Sequence, residues 1–190
     1  MNEKKVLLII FTVAFFLRFG ALSYLPRQHR TPSADAQEYD ELALNLLAGK
    51  GFINFNTGKP TAWRVPLYPI FLASIYSVFG HNYTAVRIVQ CLLGAFLCVL
   101  IYLIAKEIFS SRVALIASLT LCFYKPYILY SYFGGPGFLF SENLFTFLLA
   151  VFVYFITRSF LPKPGVSNSI IAGFLLGLMA LTRPVASLLP

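Results

Sequence analysis

Asp35, Glu38, Asp40 and Glu41 are four of the seven acidic residues in the chain, and they all fall within positions 35–41. Asp35 and Glu38 are one helical turn apart, so on a helix they share a face while Asp40 points elsewhere. A carboxylate beside a cavity is suited to taking a proton from an acceptor hydroxyl. In the plainer reading Asp35 caps a helix and the other acids form its wet face, and spacing by itself favours that one. Arg64 precedes Val65-Pro66-Leu67-Tyr68-Pro69. A guanidinium fixed there could hold a phosphate through two parallel hydrogen bonds; snorkelling to lipid head groups explains it equally well.

Two further charges stand out. Glu142 follows the turn sequence Gly134-Gly135-Pro136-Gly137 in Ser141-Glu142-Asn143. Together with Asp35 it could bind a divalent metal, or the two acids could divide acceptor positioning from base duty; otherwise it is a negative charge at a helix N-terminus. Arg183, in Leu181-Thr182-Arg183-Pro184, lies near the end of an apolar run, where a charge is costly enough to be a functional candidate by default. Arg18 is a weaker case of the same kind, because it can snorkel. Walker loops, dinucleotide fingerprints, Cys-x-x-Cys pairs and paired-His motifs are all missing, which leaves soluble nucleotide chemistry without support.

The elements that must position these residues follow from composition. Hydrophobic residues make up 58% of the 190 positions and charged residues only 12%, against roughly 45–50% and about 25% in soluble domains. No soluble fold of this size hides that much apolar surface, so the fold class is all-α: a polytopic transmembrane helix bundle forming a single domain. The net charge of +8 is scattered at the ends of apolar stretches, as topology signals and head-group contacts are. There is no basic stripe with interleaved aromatics, which argues against nucleic acid. Cys91, Cys98 and Cys122 sit inside apolar runs, where they read as packing residues rather than disulfide partners or metal ligands.

Spans are expected at about 6–25, 83–105, 113–130, 142–160 and 168–189, with a non-cytoplasmic loop at 26–82. The first run ends in Tyr24-Leu25-Pro26 without a small-residue cleavage site, so it reads as an uncleaved span rather than a signal peptide. Lys4, Lys5 and the short basic connections 106–112 and 158–163 define one side, which the positive-inside rule assigns to the cytoplasm. Basic residues in the long loop weaken that rule here. Within the loop, Ser33 or Asp35 can cap a helix running to Ala48, with Glu38 as capping-box partner and Gly49 and Gly51 at its end. Tyr39, Leu42, Ala43, Leu46 and Leu47 give it one apolar face. A second apolar segment, 67–79, is bounded by Gly80 and too short to span comfortably. Both are expected as interfacial helices.

The acid-bearing segment from Ser33 to Phe52, then Arg64-Val65-Pro66-Leu67-Tyr68-Pro69, Ser141-Glu142 and Leu181-Thr182-Arg183-Pro184, resembles the amino-terminal half of GT-C membrane glycosyltransferases. The likeness is greatest to the branch holding dolichyl-phosphate-mannose protein mannosyltransferases and bacterial lipid A aminoarabinose transferases. The resemblance implies an inverting transferase that moves a sugar from a polyprenyl-phosphate carrier to a hydroxyl acceptor on a lipid, glycan or protein. It implies Asp35 as catalytic base and Glu142 as part of the active-site cleft. Arg64, Arg183 and Tyr39 are implied to contact the donor and its lipid phosphate. No metal is required by the sequence, though a divalent ion stays open as a cofactor. Family members usually continue for several more spans, so the chain reads as an amino-terminal portion. Short loops and compact length lean toward a bacterial inner membrane with the site facing outward. The competing class is a transporter or lipid-handling protein without transferase chemistry, and a third reading is a structural or partner-binding membrane segment. The acid-bearing helix together with Arg64 favours the enzyme, since a transporter would place its polar residues mid-span.

Overall fold

Apolar runs of about 20 residues satisfy their backbone hydrogen bonds in lipid within the segment itself as helices, and capping residues and glycines punctuate them. The computed structural model, in which residues 2–23, 35–54, 57–132, 141–160, 165–183 and 185 are described, contains eight helices among those residues. They are α1 (Glu3–Ser23), α2 (Asp35–Leu47), α3 (Leu67–Phe79), α4 (Tyr83–Ile108), α5 (Ser111–Phe123), α6 (Lys125–Tyr132), α7 (Ser141–Ser159) and α8 (Val166–Ala180). An all-helical membrane bundle is therefore the fold. Three of the helices, α1, α4 and α7, are long and apolar enough to cross a bilayer, which makes the chain an integral membrane protein. Ser33, Tyr24-Leu25-Pro26, the Gly134-Gly135-Pro136-Gly137 turn, the 161–164 connection and Pro184 lie outside the described residues.

Local chemistry sets the boundaries. The Asn82 side chain accepts from the Thr84 and Ala85 amides at 2.9 and 3.3 Å and so starts α4, as Ser110 starts α5 by accepting from Val113. α2 closes with the paired bonds of a Schellman motif: Gly49 donates to Leu46 at 3.1 Å and Lys50 to Asn45 at 2.9 Å. The motif requires the left-handed φ of 71° found at Gly49. The stretch expected as one span at 113–130 is instead two helices, α5 and α6, separated by extended Tyr124. Pro126 has no amide to bond back into α5 and disfavours helix just before it. α8 has 15 residues, about 22 Å of helix, and the chain then turns through Leu181 and Thr182.

α4 is the central post. One buried cluster joins α2, α3, α7, α8 and the start of α4 through Tyr39, Tyr68, Leu72, Val86, Leu148 and Met179. Another joins α1, α4 and α5 through Ile10, Ala14, Ala95, Cys98, Ala114 and Cys122. The cysteines are free and buried, packing as small apolar side chains. α2 and α3 thus stack on one end of the bundle. At the other end Lys106 pairs with Glu3 at 2.6 Å, and Arg158 approaches Glu107 at 3.9 Å.

Arg18 does not snorkel. It is fully buried between α1 and α4, where it donates to the Ala14 carbonyl at 2.9 Å and to Cys98 Sγ at 3.6 Å. Its guanidinium stands 5.5 Å from the Tyr127 ring centroid. Gly94 makes this possible, because a Cβ there would sit 2.7 Å from Arg18 Nε. Gly94→Ala is accordingly expected to destabilise the bundle by about 1–3 kcal/mol despite alanine's better helix propensity. Gly173→Ala, with nothing within 4 Å of the added carbon, is expected to be neutral or stabilising. Melting of the two variants side by side in detergent checks this; equal melting temperatures would contradict it.

Candidate functional site

α2 carries the acids, and a buried carboxylate fixes α2 in place. Asp40 is only 5% exposed. It accepts from Tyr76 at 2.6 Å and Tyr83 at 2.8 Å, and His81 Nε2 lies 3.0 Å from each of its oxygens. The expectation that Asp40 belongs to a wet face is thereby overturned. It shares a helical face with Ala36 and Ala43, both buried, and that face is turned onto α3 and the start of α4. Burial, reinforced by the hydrogen bond to Asp40, holds the Tyr76 phenol above its ordinary pKa. Removing the carboxylate would leave buried donors without an acceptor. Asp40→Ala is expected to cost about 3 kcal/mol and to loosen α2, which is measurable as faster amide exchange over residues 35–47. Unchanged exchange would show that other contacts hold the helix.

With α2 so anchored, Asp35 and Glu38 converge on a single cation. Arg64 Nη2 donates to Asp35 Oδ1 at 2.5 Å and Nε donates to Glu38 Oε2 at 2.6 Å. Asp35 is the first residue of α2, and its carboxylate engages Arg64 rather than the helix backbone among the described residues. Arg64's side chain is 19% exposed, against 73% for Asp35 and 47% for Glu38. Burial opposes its charge, yet the hydrogen bonds to Asp35 and Glu38 and their charges outweigh burial, so the guanidinium is held above its ordinary pKa. Below it lies Tyr39, buried, with its ring centroid 5.2 Å from the Arg64 carbon. Tyr39 supports the cation from the protein side. Trp63, next to Arg64, is one of the most exposed large apolar residues described, as suits a ring at the level of lipid head groups.

Glu142 and Arg183 form a second pair, 2.7 Å apart and each 39% exposed. Glu142 sits in the first turn of α7 and Arg183 in the turn after α8, where its amide bonds the Met179 carbonyl. The two acids therefore face different arginines. Tyr68 connects the pairs. Its ring meets Tyr39 edge to face at 5.0 Å, and it accepts a 3.1 Å hydrogen bond from Gln90 on α4. Burial holds the Tyr68 phenol well above its usual value, and the nearby Glu142 carboxylate adds to that. A backbone bond from Leu67 to the Leu181 carbonyl, 2.9 Å, ties the same two segments.

The structure thus gathers all five residues singled out from the sequence, Asp35, Tyr39, Arg64, Glu142 and Arg183, at the α2–α3 end of the bundle. The Asp40 network and the Tyr68–Gln90 bond were not foreseen. The helical spacing of Asp40 with Ala36 and Ala43 was a usable signal for the first; nothing local announced the second. Among the described residues no group of three or more His, Cys, Asp or Glu is placed to hold a metal ion.

This end can bring a base and a fixed cation to one reacting centre. A guanidinium offers five N–H donors; Asp35 and Glu38 use one each, leaving three for an anionic ligand. Residues 59–190, more than two thirds of the chain, match the sequence profile of the dolichyl-phosphate-mannose-protein mannosyltransferase family. Arg64, Glu142 and Arg183 fall inside the matched region, whereas Asp35 and Tyr39 precede it. No curated protein and no solved structure gives a significant match.

Proposed function

Since the chain belongs to the dolichyl-phosphate-mannose-protein mannosyltransferase family, membrane glycosyltransferases of the GT-C kind, we propose that it transfers a sugar from a polyprenyl-phosphate carrier to a hydroxyl acceptor. The observation that carries this reading is the direct contact between the Asp35 carboxylate and the Arg64 guanidinium at one end of the bundle. Asp35 takes the proton as the acceptor oxygen attacks the anomeric carbon. The bond from that carbon to the phosphate oxygen breaks on the opposite face, which inverts the configuration. The leaving polyprenyl phosphate gathers charge on its oxygens, and the free N–H donors of Arg64 stabilise it, a task in which a preorganised cation outside bulk water is effective. Glu142, restrained by Arg183, orients the acceptor from the far side of Tyr68, while Arg183 adds positive charge near the phosphate.

The carrier's isoprenoid tail must stay in lipid, which explains why the site is built on interfacial helices stacked on a spanning bundle. The basic ends of α1, α4 and α7 lie at the opposite end. By the positive-inside rule the site then faces away from the cytoplasm, in a bacterium across the inner membrane. The test is direct. The protein, reconstituted in vesicles, is supplied with labelled polyprenyl-phosphate sugars and hydroxyl acceptors, with and without a chelator. Transfer with inverted stereochemistry is the expected result; absence of transfer with every donor would sink the reading.

A further inference from the structure

The end of the bundle away from Asp35 carries a cleft of its own. Glu3 and Val6 of α1, Tyr102 and Lys106 of α4, and Ser111, Arg112 and Leu115 of α5 enclose about 370 Å³. Its floor is apolar: Val6 is 9% and Tyr102 4% exposed. Its rim is cationic. Lys106 is paired with Glu3, Arg112 is exposed and has no ion-pair partner among the described residues, and Lys4 and Lys5 are exposed on the adjoining turn of α1. An apolar floor below a rim with a surplus of positive charge, at the ends of two helices able to cross a bilayer, is complementary to one molecule in particular. That molecule has a phosphodiester head group and the glycerol and first methylenes of acyl chains beneath it.

We propose that this cleft is a binding site for an anionic phospholipid. Arg112 and Lys106 hold the phosphodiester, and Val6, Tyr102 and Leu115 take the upper part of a chain. The site is separate from the transferase centre and does not depend on that reading. Zwitterionic lipids offer the same phosphate, but their own cation offsets the rim charge, so the cleft prefers an anionic head group.

The chain has one tryptophan, which allows a local test. Trp63→Phe with Ile116→Trp puts the sole indole one turn beyond Arg112, at a position that is 66% exposed. The protein is reconstituted in phosphatidylcholine vesicles containing a small fraction of brominated phosphatidylglycerol or, separately, brominated phosphatidylcholine. Phosphatidylglycerol is expected to quench preferentially, by about fivefold for each basic residue engaged. Lys106→Gln with Arg112→Gln is expected to remove the preference. Lys4→Gln with Lys5→Gln, which removes the same amount of charge from residues that do not line the cleft, should leave most of it, and unchanged melting shows that each variant is folded. Equal quenching by the two lipids in the parent overturns the proposal, as does a preference that survives the double substitution. A preference lost equally in the Lys4→Gln, Lys5→Gln variant also overturns it, because diffuse surface charge would then account for the effect.

Discussion

Replacing Asp35 by Asn is expected to slow sugar transfer by about 10²–10⁴-fold, the usual contribution of a positioned general base. The substitution keeps the size of the side chain and an oxygen that can accept from Arg64 Nη2, so the local geometry in which that bond is 2.5 Å survives. What goes is the ability to take a proton. The loss should therefore fall on the rate at saturating donor, with little change in the donor concentration that half-saturates the enzyme. Initial rates in vesicles over a range of donor concentrations separate these. Wild-type rates in Asp35→Asn would remove Asp35 from the base role, and Glu38, on the same guanidinium at 2.6 Å, would be the next carboxylate to examine.

Arg64→Ala has the second large effect, on the order of 10²–10³-fold in transfer, as for loss of one preorganised donor to a developing anion. It also strips the cation from between two carboxylates one turn apart, leaving a like-charge pair that repels a donor phosphate. Arg64→Lys restores the charge without the planar fork that engages Asp35 and Glu38 through different nitrogens, so rescue should be partial. The Asp35→Asn and Arg64→Ala losses should combine to less than their product, because residues acting as a unit are not additive. Full additivity would mean that the two side chains, though in contact, serve separate steps.

Much of this site was legible in the sequence because its parts are local. The helix expected to be capped by Ser33 or Asp35 and to run to Ala48 ends at Leu47 in α2, since Gly49 supplies the left-handed φ its ending needs. α3 spans 67–79 for the same reason, with Gly80 at φ 68°. Apolar composition alone could not show where a run breaks, so 113–130 read as continuous although Pro126 divides it. Partnerships across long sequence separations were the real gap. Asp40 meets Tyr76, His81 and Tyr83 roughly forty positions on, and whether such an acid is wet or buried is decided by which helix it lands against. Arg18 differs from expectation for a similar reason: its side chain packs into the space left by Gly94, a fact about another helix.

α4, with 26 residues, is a rod of about 39 Å. It is fastened near its first residue through Tyr83 to Asp40 and near its last through Lys106 to Glu3. A rod clamped at both ends is a gauge: it fixes the separation between the platform that carries Arg64 and the opposite head-group plane. A thinner bilayer is met by tilting the whole assembly or by locally thickening the lipid, and tilting would carry Arg64 away from the depth of the proposed carrier's phosphate. For the transferase proposed above, turnover is therefore expected to vary with acyl-chain length in vesicles, transmitted by one stiff element without any change in the reacting groups.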